Sequence, residues 1–407
     1  MSKILIIDDD EIIRAVALEA LSAQGHQVLT AEDGEAGLSL ARAAHPDVII
    51  VDLLMPKLHG YGVLEQIRSD PELDHTRIIV SSLKGYQTDI RHVRGAGADR
   101  YLKKPYDAET LVRVVAEVMK GGVLRVKFWG TRGSIATPGP GTARYGGNTA
   151  CVEVRYGEHI LVIDAGTGIC QLGDALMKEF KYRSLQVHIF VSHTHWDHIQ
   201  GFPFFTPSYK PGNEIYLYSV RGAGKPLEKI FRGQMDSDYF PVLLSDMLAH
   251  LHFVELSGPV QIGPLEVGFE YLNHPGIAIG FRISVGGKSV VYVSDHEPFY
   301  RFQENELGER AERKVMEFVR DADLYIREAQ YTEEEYPAKK GWGHSTPQDA
   351  LRTAAAANVR QLAIFHHDPR HDDDFLDQMM ETCQQSVRDA SYSFACFAAK
   401  EGDVVEI

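Results

Sequence analysis

Cysteine is scarce in this chain: four residues in 407, at positions 151, 170, 383 and 396, none in CxxC spacing. A disulfide framework is therefore not expected, and reduced thiols in a cytoplasmic protein are. No apolar stretch approaches the roughly 20 residues that a membrane span requires, so no membrane association is expected. The opening MSKILIIDDD holds an apolar run too short for a signal peptide, and it ends in acid. Positive charge is also in short supply, 42 Lys and Arg against 57 Asp and Glu, for a formal net charge of -15. That balance argues against duplex DNA as a partner. The sequence shows no internal repeat and no low-complexity tract. It does have 44% apolar residues, enough for cores, and a length that predicts two domains or more.

One stretch carries metal-binding chemistry. Val187 to Val191 reads as a buried strand, and His193-Thr194-His195-Trp196-Asp197-His198 follows it on what must be a tight turn. His193 and His195 can face one ion, and Asp197 and His198 can turn toward a second beside it. Neutral imidazoles with one carboxylate suit zinc or a similar first-row metal. Two such ions close together make a hydrolytic centre.

The first 120 residues alternate strand and helix patterns. Ile4–Ile7, Gln27–Thr30, Val48–Val51, Ile78–Ser81 and Arg100–Leu102 read as strands. Glu11–Ala23, Gly34–Ala44, Gly60–Arg68, Asp89–Gly95 and Ala108–Met119 read as helices. Strict alternation predicts a parallel sheet covered by helices on both faces. Gly121-Gly122 then closes the last helix. From Val123 the chain turns glycine- and proline-rich, and βα and ββ segments follow. The expected domains are residues 1–120 and 123–407, joined by 121–122. A joint this short predicts that they touch.

Three features of the first half fall at predicted strand ends, where open α/β sheets place their sites. Asp8-Asp9-Asp10 follows the first strand, Asp52 ends the third, and Lys104-Pro105 follows the fifth. Clustered carboxylates favour a hard cation such as Mg²⁺. That cation can neutralise a phosphate on Asp52, Lys104 can pair with it, and Ser82 offers a hydroxyl. The acidic triplet also suits a helix N-cap. In this order along a (βα)5 pattern, residues 1–120 resemble the receiver domain of a two-component response regulator. The resemblance implies that Asp52 is the phosphoacceptor. It implies that Asp8, Asp9, Asp52 and the Leu54 carbonyl hold Mg²⁺, with Asp10 opening the helix. Ser82 and Lys104 would read the phosphoryl group, and Tyr101 would be the rotating aromatic switch. The implied partner is a sensor histidine kinase or a phosphotransfer protein.

The second half holds further ligand-type residues. His274 lies just past an apolar strand, Asp295 follows the strand Ser289–Val293, and His366 follows Leu362–Phe365. Each alone reads more readily as an ordinary loop residue. As an ordered set with the histidine-rich turn they closely resemble the metallo-β-lactamase fold, in its phosphodiesterase and tRNA-processing branch, over about residues 123–407. By the resemblance, His193, His195 and His274 bind one ion, Asp197, His198 and His366 bind the other, and Asp295 bridges them. His367 is the alternative to His366, because the histidine is doubled. The runs Phe128–Ser134, Tyr145–Thr149 and Ile163–Gly168 agree with the family, which places Asp164 beneath the metal loop to orient the imidazoles. Redox members of the fold generally carry glutamate where His195 stands, so a hydrolytic pair of zinc (or manganese) ions is implied.

Gly343-His344-Ser345-Thr346, preceded by Arg327-Glu328-Ala329, resembles the phosphodiesterase branch. There such a histidine contacts the scissile phosphate and the glutamate steadies it. Catalytic roles therefore fall to Asp197, His344 and Glu328. Ser345-Thr346-Pro347 also reads as a helix N-cap, with proline suited to the first turn. The aromatic-rich segment Phe202–Phe253 reads as either pocket wall or packing. No long Gly/Pro-rich arm with flanking basic residues is present, which with the acidic balance demotes tRNA as a substrate.

The expected fold class is α/β: an N-terminal (βα)5 doubly wound receiver domain followed by an αβ/βα metallo-β-lactamase sandwich. The expected activity is a phosphorylation-regulated dimetal hydrolase acting on small phosphodiesters, namely a cyclic nucleotide, a cyclic dinucleotide or a small RNA. Two alternatives stand beside it. One is hydrolysis of another ester, a thioester or a lactam bond, and the other is a metal-dependent signalling module without turnover. A homodimer is compatible with each.

Overall fold

The computed structural model describes residues 2–73, 76–83, 97–119, 123–181, 184–221, 225–302 and 306–407. It divides into two compact units, Met1–Gly122 and Val123–Ile407.

In the first unit, strands β1 (Lys3–Ile7), β2 (Gln27–Ala31), β3 (Val48–Asp52), β4 (Arg77–Ser82) and β5 (Arg100–Lys103) form a parallel sheet in the order β2-β1-β3-β4-β5. Helices α1 (Glu11–Ser22), α2 (Gly34–Ala44), α3 (Gly60–Arg68) and α4 (Ala108–Met119) cover it. β1 and β3 are continuous apolar runs because they are buried on both faces. Alternate residues serve opposite layers. Ile4 and Ile6 pack with Ala17, Leu21, Leu111 and Val115, while Leu5 and Ile7 pack with Leu38, Ala41, Val63 and Leu64. Asp10 caps α1, its Oδ1 accepting from the N–H of Ile12 at 2.8 Å and of Ile13 at 3.3 Å. The expected helix Asp89–Gly95 lies outside the described residues. The strand order reverses between β1 and β3, and the C-terminal ends of these two strands carry Asp8 and Asp52.

The second unit is a sandwich of two seven-stranded sheets with helices outside. One sheet contains β6 (Arg125–Gly130), β7 (Cys151–Tyr156), β8 (His159–Ile163), β9 (Gln186–Phe190), β10 (Glu214–Ser219) and β11 (His250–Glu255). The other contains β12 (Val260–Ile262), β13 (Leu265–Leu272), β14 (Ala278–Val285), β15 (Lys288–Val293), β16 (Leu324–Glu328), β17 (Gln361–Phe365) and β18 (Ala395–Ala398). The last strand, β19 (Val404–Glu406), returns to pair antiparallel with β6 in the first sheet.

The strand period of two builds the layers. On β8, Leu161 and Ile163 face the space between the sheets, and Ile160 and Val162 face the helix α5 (Gly168–Glu179). On β17, Ala363 and Phe365 point inward, and Leu362 and Ile364 point outward. Phe190 meets Phe281 edge-on at 5.4 Å, joining the two sheets. Each such fully buried phenylalanine stabilises the unit by about 1.5–3 kcal/mol through apolar burial. β13, β15, β16 and β17 run in one direction, so the loops after them emerge at one edge. The segment Phe202–Phe253 divides in two: Phe202 and Phe231 are buried edge-on at 4.8 Å, whereas Phe204 and Tyr239 are exposed.

Candidate metal centre

Each ligand-type residue of the second unit follows a strand end. β9 runs into the turn that bears His193 and His195 and then into the single-turn helix α6 (Trp196–Ile199), which bears Asp197 and His198. β13 delivers His274, β15 delivers Asp295 and β17 delivers His366. Two groups result, His193, His195, His274 and Asp295, and Asp197, His198, Asp295 and His366. Within each, one ligand atom per residue lies within 4.8 Å of all the others, and Asp295 belongs to both. His195 is exposed and marks the open side, while the other members are buried.

Asp164 lies beneath the turn, fully buried, in a left-handed backbone conformation with φ of 62°. Its Oδ1 accepts from the Ser192 N–H at 2.7 Å. Its Oδ2 accepts from the Ser192 hydroxyl at 2.8 Å, from His198 Nδ1 at 2.7 Å and from the Tyr292 hydroxyl at 2.7 Å. One carboxylate therefore fixes both the backbone of the turn and one of its imidazoles.

The outer hydrogen bonds set the tautomers. His198 donates from Nδ1 to Asp164. His274 donates from Nδ1 to the Gly343 carbonyl at 2.9 Å, and His366 from Nδ1 to the Gln330 side-chain carbonyl at 3.0 Å. Ser192 gives its proton to Asp164, so its oxygen accepts from His193 Nδ1 at 3.2 Å. In the neutral rings this leaves a lone pair on Nε2 of His193, His198, His274 and His366. Those nitrogens converge. His198 Nε2 and His366 Nε2 are 3.2 Å apart, and His195 Nδ1 lies 3.1 Å from His193 Nε2 and 3.0 Å from His274 Nε2. Facing lone pairs repel unless a cation or proton stands between them. The donor set, borderline nitrogens with hard carboxylate oxygens, fits a pair of divalent first-row ions.

The electrostatics agree. Burial opposes charge on Asp197 and Asp295, but the surrounding imidazoles outweigh it and hold both carboxyls well below the usual carboxylate range. Burial likewise opposes charge on His198 and His366, and the nearby carboxylates reverse it, raising both. The centre thus calls for positive charge where the two groups share Asp295.

One open alternative closes, and one expected contact changes. The structure brings His366, not His367, to the centre. His366 takes a left-handed φ of 56°, while His367 donates from Nε2 to the Ala399 carbonyl at 3.0 Å and burial depresses its pKa to about 3. Gly133 makes room, since a Cβ there would lie 2.3 Å from His366 Nδ1. Glu328, in turn, does not hydrogen-bond His344. Its carboxylate accepts from the N–H of Ser345 at 2.8 Å and of Gln330 at 3.1 Å, and from Arg327 at 3.2 Å. It steadies the loop, and His344 only through that backbone. His344 is buried over the centre, its Nδ1 3.9 Å from both Asp295 and Glu328 and without a hydrogen-bond partner. Burial depresses its pKa to about 3. Thr346 caps the following helix, its hydroxyl accepting from the Asp349 N–H. Gln330, Ser192 and Tyr292, which orient ligands or their support, were not anticipated from the sequence.

In the first unit, Asp8, Asp9 and Asp52 bring carboxylate oxygens within 4.8 Å of one another. Oxygen donors of this kind suit Mg²⁺. Lys104 Nζ donates to Asp8 Oδ2 at 2.7 Å and to Asp52 Oδ2 at 2.5 Å. Burial raises the Asp8 carboxyl against the pull of Lys104. Asp9 is exposed, and the Leu54 N–H donates to Asp52 Oδ1 at 3.1 Å. Ser82 is buried at the end of β4, and its carbonyl accepts from the Lys104 N–H at 2.9 Å. Tyr101 is half-buried against the core on β5.

Comparison with known proteins identifies both units. The beta-lactamase superfamily domain matches residues 159–367, just over half of the chain. The chain belongs to the beta-lactamase superfamily. Residues 4–116 match the response regulator receiver domain. The chain is 39% identical over 123 residues to Protein PilH of Pseudomonas aeruginosa, covering 30% of this chain and 100% of that protein. It is 37% identical over 118 residues to the probable transcriptional regulator ycf27 of Porphyridium aerugineum, covering 29% of this chain and 48% of that relative. The chain thus spans about half the length of that regulator. Among solved structures, the metallo-beta-lactamase fold protein YhfI from Bacillus subtilis matches with a TM-score of 0.50 at 20% identity, covering 70% of this chain and 100% of that one. At that identity the likeness is one of fold. The superfamily fold implies divalent metal ions, and the receiver implies phosphorylation by a histidine kinase or phosphotransfer partner. Among the described residues no helix is long and apolar enough to cross a membrane.

Proposed function

We propose that this chain is a response regulator with an enzymatic output, a dimetal hydrolase that cleaves small phosphodiesters under control of phosphorylation at Asp52. The observation that carries the reading is the pair of ligand groups sharing Asp295, with the unpartnered Nδ1 of His344 3.9 Å from that carboxylate. His193, His195 and His274 would hold one ion, Asp197, His198 and His366 the other, and Asp295 both. Zinc or manganese suits these donors. Two bound ions supply an acidified water and a clamp on the oxygens of an in-line displacement.

The protein's own residues do the rest. Asp164, Ser192, Gln330 and the Gly343 carbonyl hold the imidazoles in the tautomer that faces inward. Ser134 N–H donates to Asp197 Oδ2 at 2.7 Å and fixes that carboxylate. His344 offers a hydrogen bond to charge developing on a phosphoryl or leaving oxygen. Asp8, Asp9, Asp52 and the Leu54 carbonyl would hold Mg²⁺, and Lys104 and Ser82 would engage a phosphoryl group on Asp52.

The reading is tested by a screen of cyclic nucleotides, cyclic dinucleotides and short RNAs against the metal-loaded full chain, with and without a phosphoryl mimic on Asp52. Turnover of one class, with a rate that changes with the mimic, is expected. Metal-loaded protein that spares every phosphodiester but opens a thioester or lactam refutes it.

A further inference from the structure

Tryptophan is rare here, three residues in all, and unevenly placed. Trp129 is half-buried, its Nε1 donating to Glu153 at 2.7 Å. The other two are exposed beside the centre: Trp196, 79% exposed, between His195 and Asp197, and Trp342, 56% exposed, two residues before His344. An exposed apolar side chain taken singly is ordinary. Trp342, however, sits on a loop stapled from both sides. Buried Glu297 accepts from the Gly341 N–H at 2.9 and 3.0 Å, from the Gly343 N–H at 3.0 Å and from the Tyr336 hydroxyl at 2.6 Å. The Gly343 carbonyl in turn receives His274 Nδ1, and a Cβ at Gly343, whose φ is 85°, would lie 2.1 Å from that nitrogen. The indole is thus one residue away from a group that orients a metal ligand.

A cation stands beside it. Lys339 Nζ lies 4.0 Å from the centre of the Trp342 ring and 5.6 Å from that of Tyr331, whose ring meets His344 edge-on at 5.6 Å. Among the described residues no carboxylate pairs with Lys339. A large flat ring on a rigid loop binds a second flat ring with little loss of side-chain freedom, and an adjacent ammonium suits an anionic neighbour.

We propose that Trp342 and Lys339 form a nucleotide subsite, the indole stacking a nucleobase and the ammonium holding the phosphate side of the same ligand. The proposal rests on the phosphodiesterase reading and names its substrate class, a nucleoside phosphodiester rather than a sugar or lipid one.

The test is calorimetric titration of the metal-loaded full chain with adenosine 5′-monophosphate and with ribose 5-phosphate, which differ only in the base. The wild type is expected to prefer the nucleotide about 5- to 150-fold, the range for one base stacked on one aromatic ring. Trp342→Ala should bring the ratio of the two affinities close to one, and Trp342→Phe should restore most of it. Lys339→Met should weaken both ligands together. A wild type without preference for the nucleotide overturns the proposal. So does an undiminished ratio in Trp342→Ala that still holds its metal. A parallel assay compares thymidine 5′-(p-nitrophenyl) phosphate with methyl p-nitrophenyl phosphate. If the wild type hydrolyses neither, the phosphodiesterase reading falls while the calorimetry still decides the subsite.

Discussion

Replacing Asp164 with asparagine would probe how the metal centre is held together. Asparagine has the same shape and tolerates the left-handed backbone that Asp164 adopts, so the change falls on the hydrogen bonds. The carboxylate serves four donors, one on Oδ1 and three on Oδ2, all at 2.7 or 2.8 Å. An amide must place an NH₂ at one of those positions. With its oxygen kept at Oδ2, the Ser192 N–H faces another donor; reversed, three donors do. At least one buried donor loses its acceptor, at about 1–3 kcal/mol. The remaining bonds lose the charge that makes them roughly twice as strong as neutral ones. A stability loss of about 2–4 kcal/mol follows. His198 also exchanges a charged acceptor for a neutral amide oxygen, and weakening such a partner lowers metal affinity, by at most about 10- to 100-fold. The loss should be uneven: His198 touches Asp164 directly, whereas His193 reaches it through Ser192. The ion held with Asp197 and His366 should leave first. Competition with a chelator, followed by elemental analysis alongside a urea melt, reads both effects. Two ions retained with wild-type affinity would refute the role of Asp164.

Three further outcomes are expected. His344→Ala should lower turnover by about 10²-fold with metal content intact, as removal of one charge-stabilising donor does; unchanged turnover would reduce His344 to a loop residue. Asp52→Asn should abolish Mg²⁺-dependent labelling by a small phosphodonor together with the activity difference that labelling produces. Equal kinetics and oligomeric state for labelled and unlabelled protein would separate the two units functionally. His188, buried against Tyr216 and Tyr218, has its pKa lowered to about 4 by burial. The unfolded chain therefore binds this proton first as pH falls. Its contribution is complete above about pH 6.5 and lost between there and about 4, costing about 3 kcal/mol. His188→Gln should flatten that part of the acid limb in urea melts, and an unaltered limb would contradict the assignment.

Much of the site was legible because it lies at strand ends. Asp8, Asp52, Asp164 and Asp295 each interrupt or end an apolar run, a break visible in the sequence without any fold. The parts that escaped depend on distant contacts. Gln330 meets His366 across 36 residues, Ser192 meets Asp164 across 28, and Tyr292 meets Asp164 across 128. Nothing local distinguishes them from ordinary strand-end polar residues. The doubled histidine left His367 open beside His366 for another reason. Which ring turns to the centre is set by the left-handed backbone at His366, and a sequence pattern does not encode that angle at a residue other than glycine. Glu328 was found as a residue but not as a contact, because the motif gives its position and not the backbone amides that occupy it.

The most direct test of the dimetal hydrolase is metal stoichiometry measured together with turnover of bis(p-nitrophenyl) phosphate, for the wild type and for Asp197→Ala. Two ions per chain are expected in the wild type, with turnover lost on chelation and regained on reconstitution. Asp197→Ala should retain one ion and no turnover. A wild type free of bound metal, with turnover indifferent to chelators, would contradict it.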